Sequence, residues 1–157
     1  MTKTASEPDV AAASSDAANA ALARAKARIG TELPAVRFEI DRSDLRRYAR
    51  ACGETWPGYV QGDEAPPTFI SALQSEGMGG DLFERDVPFK SMLHSDDAVE
   101  LVAAIRPGDV LFATSYYRDA VLKQSRRGPM LFQTAEMLLR DEAGQLVGRV
   151  ASSLVSF

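Results

Sequence analysis

The residues able to do chemistry gather in one short stretch, where Cys52, Glu54, Trp56 and Tyr59 lie close together; the single histidine, His94, stands well downstream. A carboxylate such as Glu54 can take or return a proton. A tyrosine such as Tyr59 can donate a hydrogen bond but is a poor base at neutrality. Any Ser/His/Asp or Cys/His nucleophile must use His94, because there is no second imidazole. In the run Met92-Leu93-His94-Ser95-Asp96-Asp97 either aspartate could orient that ring, as a catalytic pair or as a structural bond beside a strand. Cys52 shares a helical face with Leu45, Tyr48 and Ala49, which suits a small buried hydrophobe better than a reactive thiolate. One Cys excludes an internal disulfide, and one Cys with one His cannot complete a four-ligand structural zinc site, so no metal is expected. Lys123, Arg126 and Arg127 form the one notable basic cluster, fit either to meet phosphate oxygens or to solvate a hairpin end.

The elements that must position these groups emerge from pattern. The chain has 157 residues, 45% of them hydrophobic, and a net charge of −4. That length suits one core, and mild acidity gives no reason to expect a nucleic-acid partner. No stretch approaches the roughly 18–20 apolar residues of a membrane span, and no signal peptide is apparent, so a cytoplasmic location is expected. Residues 1–28 form an Ala-rich segment, with 1–16 expected as a disordered tail and 17–28 as a short helix stopped by Gly30. The folded domain is expected over 29–157. Alternation predicts a strand over 36–40, and Ser43 is expected to cap a helix ending at Gly53. Residues 54–94 are irregular, with one helical stretch over 69–74 cut short by Gly77. An apolar run over 99–105 leads into the Pro107-Gly108-Asp109 turn. Long strands are then predicted over 110–122, 130–140 and 146–157, the last two joined by the Asp141-to-Gly144 hairpin. One strand plus helical material followed by long antiparallel strands gives an α+β fold with a strongly curved sheet.

Two segments carry a resemblance. Tyr48-Ala49-Arg50-Ala51-Cys52-Gly53-Glu54-Thr55-Trp56-Pro57-Gly58-Tyr59 is similar to the hydratase motif of MaoC-like hot-dog proteins, Tyr/Phe-Ala-x-x-Ser-Gly-Asp-x-Asn-Pro-x-His. Ile105-Arg106-Pro107-Gly108-Asp109-Val110-Leu111 resembles the Pro-x-x-x-Gly-Asp-x-Leu turn of the same family. Pro66-Pro67-Thr68-Phe69, Gly128-Pro129-Met130 and the turn from Asp141 to Val147 add to the likeness, which resembles the N-terminal MaoC-type, or fatty-acid-synthase-like, dehydratase domain. It implies a hot-dog fold, a curved antiparallel sheet wrapped around a shortened helix, acting on acyl thioesters of coenzyme A or acyl carrier protein. Coenzyme A then belongs to the substrate, and no cofactor is implied.

Against the motif, Glu54 stands at the catalytic Asp position, Tyr59 at the catalytic His position and Trp56 at the Asn position. Glu reaches one methylene further than Asp, and a misplacement of about 1 Å can cost roughly 10²-fold in rate. The resemblance therefore implies the non-catalytic subunit of an (R)-specific enoyl-thioester hydratase or 3-hydroxyacyl-thioester dehydratase. A MaoC-like hot-dog partner, as a heterodimer or α2β2 assembly, would supply the Asp and His. Trp56, Tyr59, Lys123, Arg126 and Arg127 are the expected contacts to substrate. Two alternatives stay open: a self-sufficient homodimeric hydratase or thioesterase using Glu54 and His94, and a non-catalytic acyl-thioester binding module.

Overall fold

A computed structural model describes residues 7–78, 82–126 and 128–157, with side chains from residue 15 onward. Gly79, Gly80, Asp81 and Arg127 lie outside the described residues, as do the first six of the tail. Five strands form one antiparallel sheet: β1 (Val36–Glu39), β2 (Met92–Leu101), β3 (Val110–Ser125), β4 (Gly128–Asp141) and β5 (Leu146–Ser156). Their order across the sheet is β1-β3-β4-β5-β2. The three long strands meander through tight turns, while β1 and β2 take the two margins.

Alternation in the sequence becomes a two-faced sheet. Leu111, Ala113, Ser115 and Tyr117 on β3 and Leu131, Gln133, Ala135, Met137 and Leu139 on β4 turn inward and are buried. A bulge between Tyr117 and Asp119 shifts the period by one, so that Ala120 regains the inner face. Such a bulge bends the strand and adds to the curvature of the sheet.

The inner face is covered by short helical pieces. The helix expected over 69–74 is two single turns, α4 (Phe69–Ala72) and α5 (Gln74–Gly77), numbered after α1 (Glu7–Ala27), α2 (Arg42–Ala51) and α3 (Pro57–Val60). At Leu73 the bonding tightens, its amide reaching Ile70 three residues back, before the Gly77 amide returns to Leu73 four back. Gly77 does not stop the helix through a left-handed backbone, since it is not among the positive-φ glycines. It is there for closeness. A Cβ at this position would stand 2.7 Å from the Met137 sulfur and 3.1 Å from the Ala113 Cβ. The Ser115 hydroxyl donates to the Gly77 carbonyl at 2.7 Å, which fixes α5 against the middle of β3.

The helix predicted over 17–28 begins at Glu7 and runs to Ala27. Ala18, Ala21 and Ala25 recur at helical spacing and are fully buried against the sheet, so alanine serves here for close packing as well as propensity. Gly30, at φ +86°, ends the helix, and its amide donates to the Tyr117 carbonyl. A buried polar cluster ties this end together. The Tyr117 hydroxyl donates to Gln133 Oε1 at 2.9 Å, the Glu84 amide donates to the same oxygen at 2.8 Å, and Gln133 Nε2 donates to the Glu84 carbonyl at 3.0 Å. Burial holds the Tyr117 hydroxyl far above its ordinary pKa.

Two local expectations are corrected. Asp41, not Ser43, caps α2: its carboxylate accepts the Ser43 amide at 2.6 Å. The apolar run over 99–105 is strand only as far as Leu101, because β2 spans Met92–Leu101, and His94 lies inside that strand rather than beside it. No helix among the described residues is long and apolar enough to cross a membrane.

Candidate active-site loop

The motif loop is built by α2 and the segment after it. Leu45 and Ala49 face the core, Cys52 closes the helix, and Gly53 turns the chain at φ +72°. The Glu54 amide then returns to the Ala49 carbonyl at 2.9 Å. Cys52 is exposed at this helix end, contrary to its expected burial, because the turn rotates it off the face that carries Leu45. Downstream, Arg42 pairs with Asp63, the Ala65 amide donates to the Ile105 carbonyl, and Arg106 reaches Glu64 at 3.3 Å. These ties anchor the loop to the turn that opens β3.

Trp56 is half exposed, at 52%, and so does not plug the interior of this chain. Its ring meets Tyr59 edge-on, with centroids 4.5 Å apart, and lies over Gly58, where a Cβ would come within 2.1 Å of the indole. Tyr59 is half-buried in that contact. Glu54 lines an open cavity of about 370 Å³ together with Arg46, Arg50, Gly53 and Val60. Among the described residues no hydrogen bond or ion pair engages the Glu54 carboxylate. Behind the loop, Tyr48 donates to the Thr68 carbonyl at 2.9 Å. Partial burial, and then the Cys52 thiol and the Glu54 charge, push its hydroxyl above the ordinary value, against the bond to Thr68.

His94 belongs to a separate cluster. Its Nε2 stands 2.9 Å from Asp97 Oδ1 and 3.3 Å from the Ser152 hydroxyl on β5. Residues three apart in a regular strand face opposite ways. Here the register shift between His94 and Asp96 turns the two side chains to one side. Gln74 of α5 adds a long contact to Asp97 at 3.4 Å. Burial works to raise the Asp97 carboxyl, but hydrogen bonds from Ser152, His94 and Gln74 outweigh it and hold the pKa below its ordinary value. Because Asp97 and Ser152 share one ring nitrogen, the group is not arranged as a Ser-His-Asp relay, which uses both nitrogens. No described hydrogen bond, ion pair or ring contact joins His94 to Glu54 or Tyr59.

Of the expected basic contacts, Lys123 lies 4.5 Å over the Phe132 ring and Arg126 is exposed at the β3–β4 turn. That turn is the far end of β3 from the 105–109 turn to which the motif loop is tied, and neither Lys123 nor Arg126 lines the Glu54 cavity. The cations that do line the Glu54 cavity are Arg46 and Arg50, which reasoning from sequence passes over. Their signal is present all the same: four arginines on a ten-residue helix of an acidic chain, two of them one turn apart. No cluster of three or more metal-ligating side chains occurs among the described residues.

A sequence profile of the FAS1-like dehydratase domain region matches residues 27–150. This chain belongs to that dehydratase family. Solved structures establish how the family member is folded. A MaoC-like dehydratase superposes with a TM-score of 0.70 at 21% identity over 85% of this chain. The match spans only 43% of that protein. One chain of the ChsH1–ChsH2 complex from Mycobacterium tuberculosis matches with a TM-score of 0.68 at 18% identity, covering 91% of this chain and 92% of its own. The HadBC complex of the same organism, a (3R)-hydroxyacyl-ACP dehydratase, matches with a TM-score of 0.61 at 19% identity, covering 78% and 92%. The expected hot-dog fold is thereby established, with the sheet curved over α4 and α5. Helix α1 lies almost wholly ahead of the matched dehydratase region.

Proposed function

We propose that this chain is the substrate-binding hot-dog subunit of an (R)-specific enoyl-thioester hydratase or 3-hydroxyacyl-thioester dehydratase. A second MaoC-like hot-dog subunit brings the catalytic Asp and His. One observation carries the reading: the loop is folded, but Tyr59 stands at its histidine position, while the sole histidine is held by Asp97 within strand β2 and by Ser152 of β5. Hydration of a 2-enoyl thioester needs a polarised water, a proton for the α-carbon and donors for the developing enolate oxygen. Glu54 can accept a proton, yet the motif position that would pair it with an imidazole is Tyr59. That two of the similar solved structures are complexes of unlike chains supports a partner. No metal or organic cofactor is required; coenzyme A or a carrier protein enters with the acyl group, in the cytoplasm.

The test is hydration of a 2-enoyl-CoA, followed by loss of enoyl absorbance, with the chain alone and with whatever hot-dog protein co-purifies from its host. The chain alone should be poorly soluble or inactive, and the complex should turn over. Strong hydratase activity from the purified chain alone, abolished by Glu54→Gln or His94→Ala, would establish the self-sufficient enzyme instead. Acyl-CoA binding without turnover, even with the partner present, would establish a binding module.

A further inference from the structure

Helix α2 carries Arg42, Arg46, Arg47 and Arg50 in a chain whose net charge is −4. Two of the four are already neutralised: Arg42 by Asp63, and Arg47 by Asp44. Arg46 and Arg50 have no hydrogen-bond or ion-pair partner among the described residues, and both are exposed. They stand one turn apart, so their side chains share a face. Like charges so placed mildly disfavour the helix, and an anion held between them reverses that.

Both arginines line the 370 Å³ cavity beside the motif loop, with Gly53, Glu54 and Val60 as the other walls. Glu54 is the one carboxylate among those residues, so the cavity keeps an excess of one positive charge. Val60 is 48% exposed, which gives the cavity an apolar wall next to its cationic one. A ligand that fits has an anionic group with several acceptor oxygens, joined to a less polar arm. Guanidinium pairs suit phosphate, because each planar fork can present two donors to two oxygens.

We propose that Arg46 and Arg50 bind the phosphate of a pantetheine arm, and so place the carrier of the acyl thioester along α2 with its thiol end toward the motif loop. The assignment rests on the thioester function proposed for this chain. It moves the phosphate contacts from the Lys123–Arg126 turn to the helix that carries the motif. Coenzyme A and a phosphopantetheine-bearing carrier protein present the same phosphate, so the site serves either source.

The test is calorimetric titration of the full chain at low ionic strength with coenzyme A, with an acyl carrier protein in its phosphopantetheine-bearing and bare forms, and with pyrophosphate. The variant is Arg46→Gln with Arg50→Gln, which keeps much of the side-chain stems, since Arg46 Cγ packs near Gly62. Arg47→Gln is the control, one charge lost on the same helix from a residue already paired with Asp44. Melting curves verify that all are folded. The double variant should weaken coenzyme A or the modified carrier at least about tenfold and flatten the salt dependence, while the control stays within about twofold. Binding of both carriers at wild-type affinity by the double variant overturns the proposal. If neither carrier binds the wild type while pyrophosphate still binds through the two arginines, the thioester reading falls and takes the carrier assignment with it.

Discussion

Gln133 is fully buried and makes three hydrogen bonds at once: from the Tyr117 hydroxyl, from the Glu84 amide and to the Glu84 carbonyl. Replacing it with leucine keeps the bulk and removes every one. A buried polar group left without a partner costs about 1–3 kcal/mol. The Glu84 backbone is only partly buried and can recover some water, so the three losses should total about 3–5 kcal/mol. Tyr117→Phe is milder, because Gln133 Oε1 keeps the Glu84 amide; about 1 kcal/mol is expected. In the Gln133→Leu background the hydroxyl is already orphaned. Removing it there should cost nothing or restore stability, a coupling of about 1–2 kcal/mol. Urea denaturation of the two single variants and the double variant measures this, with thermal shifts of about 2–4 °C per kcal/mol for a chain of this size. A Gln133→Leu cost no larger than that of Tyr117→Phe, or an additive cycle, would refute the shared network.

Gly77→Ala should destabilise by about 1–3 kcal/mol, since its Cβ would fall 2.7 Å from Met137 and force α5 off the sheet; Met137→Ala should relieve part of that overpacking in a double-variant denaturation. Asp97 gives a pH signature. Its folded pKa is depressed below the ordinary 3.8, so its contribution is present above that value and is lost as pH falls through the folded pKa. Asp97→Asn should therefore be less stable than wild type at pH 7, with the gap closing toward pH 3 in urea titrations. An equal gap at both pH values would mean the carboxylate's charge is not what stabilises the cluster.

The long strands were legible because each has one wet and one dry face. The predicted 110–122, 130–140 and 146–157 differ from the observed strands by at most a few residues at their ends. Strand β2 was not legible. Nearly all of it is exposed, and its His94, Asp96, Asp97 and Glu100 show no apolar alternation, while the irregularity at Ser95 breaks what period there is. Helical spacing does not place Cys52, which lies one residue beyond the end of α2 and is exposed. In the site, the motif loop could be read from residue types. The neighbours of Glu54 could not, since only the fold decides which side of α2 faces the cavity. The link between Ser152 and His94 spans two strands, and no local pattern encodes it.

The sheet order has a consequence for how the polypeptide matures. Strand β1 pairs only with β3, and β2 pairs only with β5, while α1 packs on β3 and β4. The two margin strands and α1 thus wait for sheet partners that follow residue 109. The hairpins β3–β4 and β4–β5 are close in sequence and can zip early, after which the older segments must find them across long loops. Until residues 146–156 emerge from the ribosome, β2 has no strand to pair with, although α1 already has the β3–β4 face on which it packs. A nascent chain of this topology closes its sheet only once β5 has been made.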